Sequence, residues 1–535
     1  MNIQFLGAAR TVTGSCCMMQ VGKRRFAVDC GLHQGNREIE TRNLDADIYQ
    51  PGRIDFFLIT HAHMDHTGLL PRMARMGFKG AVYCTEPTRD LLEIMLQDSA
   101  HIQEMEAEGA TRRLRRKGRK PVEPLYSQAD AARVSRFFQT VEYDTPFSPC
   151  EGVTVVYRDA GHILGSAFLE VRIAENGSVT RLIFSGDLGR PNQLMVNDPE
   201  VPGQADYVFL ESTYGDRDHK DTGHSRDEMA EAIAYSYARG EKVIIPAFAV
   251  ERTQAVLYTL YLLRREGRLP EDMPVYLDSP LAIRATEVFR KHPRYMDDSI
   301  RAVLDSGEDP LDLPNLRFTL KAQESMALNS LDGPAIIISA SGMCNAGRIK
   351  HHLRHNLWKE GASIVFVGYQ GQGTPGRKIV DGAKTLRLFN EDIAINAKVF
   401  TIGGFSGHAG QSQLVEWVSG IARPEMEIFL LHGEERSQRV LAELLQERLG
   451  IPVHVPDYLE EVTLKPGRAM EVAQDAQRAH PRVDWSFLLA ETEGKMALLR
   501  ARLERMEERD WVEQVEVRDR LVELNSEILS LLSQV

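Results

Sequence analysis

The stretch Thr60-His61-Ala62-His63-Met64-Asp65-His66-Thr67-Gly68 gathers three imidazoles and a carboxylate, those of His61, His63, Asp65 and His66, within six positions. It follows the apolar run Ile54-Asp55-Phe56-Phe57-Leu58-Ile59, which reads as a buried strand. A packed core has no use for four such groups at a strand end. A transition metal does, because imidazole nitrogen and carboxylate oxygen suit zinc, which takes about four ligands. In an extended segment His61 and His63 project to one side, while Asp65 and His66 fall where the chain turns toward a helix at Gly68-Leu69-Leu70-Pro71. The stretch therefore asks for one metal or two, and for further ligands from elsewhere.

The rest of the chain repeats one device, a short apolar run ending in a metal-type residue. Arg25-Phe26-Ala27-Val28 leads to Asp29, and Val153-Thr154-Val155-Val156-Tyr157 leads toward His162. Leu182-Ile183-Phe184 leads to Asp187, and Tyr207-Val208-Phe209-Leu210 leads to Glu211. Lys398-Val399-Phe400-Thr401-Ile402 runs toward His408, and Ile428-Phe429-Leu430-Leu431 ends at His432. Ligands gathered at successive strand ends are how layered α/β proteins build sites. His61, His63, Asp65, His66, His162, Asp187 and His432 make a set too large for one zinc and suited to two that share a carboxylate. We expect His61, His63 and His162 at one metal, Asp65, His66 and His432 at the other, and Asp187 between them. Two such ions suit phosphodiester hydrolysis.

His61-x-His63-x-Asp65-His66, preceded by Asp29 and followed by His162 and Asp187, resembles the metallo-β-lactamase fold. Glu211 in Glu211-Ser212-Thr213-Tyr214-Gly215, His408 in Phe405-Ser406-Gly407-His408-Ala409 and His432 in Leu431-His432-Gly433-Glu434 resemble the three additional motifs of the β-CASP nucleases. The resemblance runs from residue 1 to about residue 460 and is nearest in style to the nuclease subunit of the cleavage and polyadenylation factor and its prokaryotic relatives. It implies an α/β protein, a metallo-β-lactamase αββα sandwich with an inserted α/β (β-CASP) domain, and a two-zinc ribonuclease. It also implies that Asp29 stands behind the ligands rather than among them. Histidine at position 432 resembles the RNA-acting members. One departure is Gly410, where many relatives carry aspartate. The candidate catalytic residues are Asp65, His408, Glu211 and Asp29, with His408 as the proton donor to the leaving oxygen and Glu211 as its partner.

Strand and helix patterns alternate between Glu211 and His408, which predicts an inserted domain with a parallel sheet. The expected divisions are 1–216 and 396–465 for the two parts of the metallo-β-lactamase domain, 217–395 for the insertion and 466–535 for a helical C-terminal extension. Gly371-Gln372-Gly373-Thr374-Pro375-Gly376 has the spacing of a dinucleotide loop, but Pro375 and Gly376 shorten the helix that such a loop needs. A loop holding an RNA phosphate, assisted by Arg377 or Lys378, is the better expectation. Ser341 to Arg348 offers a similar set of amides plus the Arg348 side chain. Arg112 to Lys120 carries seven cations in nine residues, a local footprint for phosphates through Arg115, Arg116 and their neighbours, or simply a solvated loop.

With 535 residues the chain has room for two or three domains, and its 43% hydrophobic content is ordinary for a globular protein. A formal net charge of −12 argues against coating nucleic acid over the whole surface. No apolar run is long enough to span a membrane, no signal peptide is evident, and six cysteines without a regular framework read as reduced thiols. A cytoplasmic enzyme with an RNA substrate and no membrane partner is expected. The tail repeats apolar residues at heptad-like spacing, Met496-Leu499-Leu503-Met506 and Val517-Leu521-Leu524-Ile528-Leu531-Val535. These blocks fit a helical hairpin that packs on itself or pairs a homodimer. The ligand set suits Zn2+ and admits Mn2+. Two rival readings are a thioesterase or lactonase on the same scaffold and a non-catalytic RNA-binding scaffold. The residues leave endonuclease and 5′-to-3′ exonuclease both open.

Overall fold

A computed structural model describes residues 1–535 except 117, 119, 176, 220–223, 372, 466–470, 474–484, 505, 507–510 and 533–535. Residues 1–479 form one compact unit and 480–535 a second.

The first unit holds two sheets packed face to face. One runs Asn2–Gly7, Cys16–Val21, Arg24–Val28, Phe56–Leu58, Ala81–Thr85 and Phe138–Val141, with Glu461–Thr463 paired against Asn2–Gly7 and Glu471–Ala473 outside it. The other runs Val453–His454, Glu427–Leu431, Tyr207–Glu211, Ser178–Phe184, Ala167–Glu175, Val153–Asp159 and Phe147–Cys150. Period-two alternation decides which side chain faces which layer. Phe56 and Leu58 join Phe5, Tyr157, Leu169, Phe184, Phe209 and Phe429 between the sheets. Phe57, one residue out of phase, packs outward against a cluster that includes Leu70, Met73, Leu91 and Leu92 from helices. On the far side Ile183, Val208, Leu210 and Ile428 meet Leu414, Val415, Leu441 and Leu445 of the helices Gln411–Ser419 and Glu435–Leu449. The layers are therefore helix, sheet, sheet, helix.

A third sheet is wholly parallel, in the order Leu316–Phe318, Val275–Leu277, Ala335–Ser339, Lys242–Pro246, Ser363–Phe366, Lys398–Thr401. Its central strands are buried throughout, as sheets covered on both faces require. Two of the expected divisions shift here. Lys398–Thr401 pairs with Ser363–Phe366, so the strand leading to His408 closes the inserted sheet and the return to the sandwich comes after it rather than at residue 396. Glu471–Ala473 still pairs with Glu461–Thr463, so the sandwich extends past residue 465.

In the second unit the tail forms helices Trp485–Leu503 and Trp511–Leu532. Leu498 and Leu529 are 60% and 67% exposed, while Leu499, Leu503, Val517 and Leu521 are half-buried. Of the apolar repeat, Val535 lies outside the described residues, and so does the side chain of Leu531. Among the described residues no helix is long and apolar enough to cross a membrane.

Candidate metal centre

Loops at the strand ends of the sandwich deliver the side chains. His61 follows Phe56–Leu58, and His63 opens the short helix Met64–Thr67 that carries Asp65 and His66. His162 lies between Val153–Asp159 and Ala167–Glu175. Asp187 and Glu211 come from parallel neighbours, Ser178–Phe184 and Tyr207–Glu211, and His432 follows Glu427–Leu431. Asp29 and His432 take positive φ values of 62° and 50°, a sharp turn out of the strand that aims each side chain inward.

These residues fall into two groups. In the first, His61 Nε2 lies 3.1 Å from His63 Nδ1, and His162 Nε2 lies 3.3 Å from the same atom. Asp187 Oδ2 stands 3.4 Å from His61 Nε2 and 3.5 Å from His162 Nε2. Ligands 2.0–2.1 Å from a tetrahedral zinc are separated by roughly 3.3 Å, so this spacing fits one ion. In the second group, Asp65 Oδ2 lies 3.4 Å from His432 Nε2. His66 Nε2 faces Asp187 Oδ1 at 3.2 Å, and His432 Nδ1 faces the same oxygen at 3.5 Å. Asp187 thus turns one oxygen to each group. His66 Nε2 and Asp187 Oδ1 are buried with no hydrogen-bond partner. Buried polar atoms are rarely left so, and a cation between the ligands would satisfy both.

Electrostatics agree with the donor chemistry. Burial pushes His61 and His162 well below the usual imidazole range, and burial against neighbouring imidazoles lowers His63 to about 4, so these rings are neutral near pH 7. Burial opposes ionisation of Asp187, but His432, His66, His61 and His408 outweigh it and hold the carboxyl well below its ordinary value. Asp65 is likewise lowered, burial being overcome by the His432 hydrogen bond and the His66 charge. Neutral nitrogens and charged carboxylates are the forms that bind metal. His66 departs from this, because burial disfavours its charge but Asp187 and Asp29 overcome it and raise the ring well above the usual imidazole range, so a cation bound there would displace its proton.

A supporting set fixes the ring orientations. The Asp29 carboxylate accepts from the Thr60 backbone N–H at 2.9 Å, from the Thr60 hydroxyl, and from His66 Nδ1 at 2.7 Å, leaving His66 Nε2 to face Asp187. His162 Nδ1 donates to the Gly407 carbonyl at 2.8 Å, and His432 Nδ1 lies 3.0 Å from Thr213 Oγ1. Such partners set the tautomer of a ligating imidazole. The sequence reading missed Thr60, Thr213 and Gly407. Thr60 sat inside the quoted stretch, but its hydroxyl carried no signal of its own.

His408 stands beside the ligands. Its Nδ1 is 3.3 Å from Glu211 Oε1 and 3.9 Å from Asp187 Oδ2, so Asp187, Glu211 and His408 form a third group of donors. Burial works against the charged imidazole, but Glu211 and Asp187 prevail and raise His408 above its ordinary value. Glu211 is fixed by the Leu188 N–H at 2.7 Å.

The expected RNA contacts fare differently. Arg348 bonds internally, to Asp278 at 2.7 Å and to the carbonyls of Thr319 and Leu320. Arg377 pairs with Asp381 one turn on, at 2.9 Å. Lys378 is exposed on the six-residue helix Pro375–Val380, which is the shortened helix expected there. Arg115 ends the 30-residue helix Glu86–Arg115 and Arg116 caps it, so the first half of the basic segment is helix rather than loop. Lys117 and Arg119 lie outside the described residues.

Three family models match: a metallo-beta-lactamase superfamily domain over residues 18–183, a Beta-Casp domain over 253–379, and a Zn-dependent metallo-hydrolase RNA specificity domain over 392–456. A ribonuclease of Thermus thermophilus is 37% identical over 84% of this chain and 96% of its own length. The chain belongs to the β-CASP branch of the metallo-β-lactamase superfamily. Transcription termination factors of Thermococcus kodakarensis and Methanocaldococcus jannaschii are 31% and 28% identical to this β-CASP chain, each over 87% of it and over 71% and 72% of their own lengths. A solved structure of a protein of unknown function from Enterococcus faecalis shares the fold, with a TM-score of 0.51 and 12% identity over 86% of this chain and 99% of its own. The two donor groups sit in a zinc-dependent metallo-hydrolase scaffold.

Proposed function

We propose that the chain is a two-metal ribonuclease hydrolysing RNA phosphodiester bonds, with His61, His63 and His162 on one ion, Asp65, His66 and His432 on the other, and Asp187 shared. The observation that carries this is the pair of donor groups turned toward opposite oxygens of one buried carboxylate. Zinc held there, or manganese, would act as a Lewis acid on the scissile phosphate. Asp29 keeps His66 in the tautomer that presents Nε2, and the Gly407 carbonyl does the same for His162. His408, beside the ligands and not needed to complete either group, is placed to give a proton to the departing 3′ oxygen. Glu211 holds that imidazole oriented and charged.

The ribonuclease relative and the Beta-Casp and RNA specificity matches favour RNA over a thioester or lactone substrate. A non-catalytic scaffold is disfavoured because none of the donors is missing. The free cysteines, Cys16, Cys17, Cys30, Cys84, Cys150 and Cys344, suit a cytoplasmic setting. The exposed leucines of the tail leave pairing of two copies through its helices as a reading that sedimentation would test. The test of function is incubation with RNAs labelled separately at each end, with and without chelator. Metal-dependent internal cuts or stepwise release from the 5′ end support the reading and distinguish its two modes. Cleavage that survives complete metal removal, or none by the metal-loaded protein, overturns it.

A further inference from the structure

Beyond His408 a line of side chains crosses from the sandwich to the inserted sheet. The Tyr214 ring is 6.2 Å from that of His408 and 4.3 Å from that of His219. The Arg217 guanidinium lies 5.6 Å from the Tyr214 ring centre and 5.9 Å from that of Tyr369. Tyr369 follows Ser363–Phe366, and Phe248 follows the neighbouring parallel strand Lys242–Pro246, so both occupy the carboxyl ends of the inserted sheet, where open α/β sheets bind ligands. Their rings are 46% and 42% exposed, which leaves apolar surface open at that edge of the sheet.

At the inner end of the line stands Arg252. Its guanidinium lies so close to Gly407 that an added Cβ there would sit 2.9 Å from Nη2. Among the described residues no hydrogen bond or ion pair engages it. Its charge is felt by His408 and His219. Arg252 is half-buried, and burial draws its guanidinium down to about 10 against the pull of the adjacent Glu251 carboxyl, so a phosphate would give it the hydrogen-bonded anion it lacks.

Resting on the ribonuclease reading, the geometry points to a single-stranded RNA track that leaves the metal centre past Arg252, follows Arg217, and stacks a base on the open face of Tyr369. The arrangement alternates cation and ring, as a strand with phosphates on one side and bases on the other requires. Only unpaired bases can lie on such a ring, so the track selects single-stranded substrate.

The test is stopped-flow mixing of zinc-loaded protein, in excess, with a single-stranded RNA carrying one 2-aminopurine walked along the chain, reading fluorescence first and cleavage afterwards. At one position the wild type should quench the probe through stacking. Tyr369→Ala should abolish that quench and weaken binding roughly 10- to 100-fold, whereas Tyr369→Phe retains both. Arg217→Gln and Arg252→Gln should each lower the salt slope of binding by about 0.7, one phosphate contact on a single strand. RNA that is bound and cut with no quench at any position, or a fully paired duplex bound as tightly, overturns the track and leaves the ribonuclease reading standing. No cleavage phase overturns the ribonuclease reading itself. If Tyr369→Ala only lowers the melting temperature while the quench persists, the stack is a clasp between sheets and the track is wrong.

Discussion

Asp29→Asn tests whether the centre is built as two separable sites. Asp29 reaches no metal group directly, and its two oxygens are divided between Thr60 and His66. Asparagine fits the same positive-φ turn, so the backbone is spared. An amide has one acceptor oxygen, and the Thr60 backbone N–H and hydroxyl compete for it. The amide nitrogen then faces His66 Nδ1, which must become an acceptor, and the ring proton moves to Nε2, the atom 3.2 Å from Asp187 Oδ1. That nitrogen can no longer bind a cation. Partners behind ligating imidazoles are worth about 10- to 100-fold in metal affinity, or roughly 1.4–2.7 kcal/mol. The loss should fall mainly on the Asp65, His66 and His432 group, because His162 is oriented by the Gly407 carbonyl and His61 by the Thr60 hydroxyl, which keeps the amide oxygen as an acceptor. Zinc titration against a competing chelator, with circular dichroism as a check on folding, should show one site weakened by that factor and the other nearly unchanged. Equal weakening of both sites, or two unaltered sites, would refute the assignment of Asp29 to the second group.

Four further outcomes follow from the same geometry. Asp187→Asn removes the charge shared by both groups, so metal analysis should fall from two ions per chain to clearly fewer and cleavage should vanish while the fold persists. A single ion in active wild-type protein would contradict the shared carboxylate. His408→Ala should keep its metal and lose roughly 10²- to 10⁴-fold in rate, with Glu211→Gln losing less. A p-nitrophenyl phosphodiester, whose leaving group needs no proton, should restore the variant, and loss of an ion would make His408 a ligand instead. Replacing Arg112, Arg113, Arg115 and Arg116 should reduce the salt slope of RNA binding if the helix end touches phosphate, and an unchanged slope would return it to solvent. Burial raises Glu251 to about 7 against the opposing charge of Arg252. The folded chain therefore holds a proton that the unfolded chain releases, and stability is lost as pH rises from about 4.5 through about 7. Glu251→Gln should gain up to roughly 3 kcal/mol over wild type between pH 4.5 and pH 8, measured by denaturant melts, and parallel curves would refute the buried-carboxyl account.

The site was more legible than the surfaces around it, for physical reasons. Metal ligands are restricted to few residue types and must sit where the backbone turns, so His61, His63, Asp65 and His66 beside a strand advertised themselves. Their partners hid, because Thr60 and Thr213 contribute a hydroxyl and Gly407 only a carbonyl, chemistry that every loop possesses. Layer order followed from period-two alternation, as Phe56, Phe57 and Leu58 show. The domain returns did not, since a parallel strand such as Lys398–Thr401 reads the same whichever sheet it joins. The internal bond of Arg348 was hidden for a different reason, since the Asp278 it pairs with lies 70 positions away in the chain.

The place of Lys398–Thr401 also bears on how the two domains act together. His408 is reached only seven residues beyond Thr401, on the segment by which the chain leaves the inserted sheet. Its neighbour Gly407 orients His162, a member of the first donor group, while Arg190 of the sandwich donates to the carbonyls of Ser406 and Gly404. One connection therefore joins the edge of the inserted sheet to His162 and to His408 at once. The other crossing, from Glu211 to the helix Ser225–Tyr237, carries Thr213 beside His432, so both chain connections to the inserted sheet pass through the candidate site.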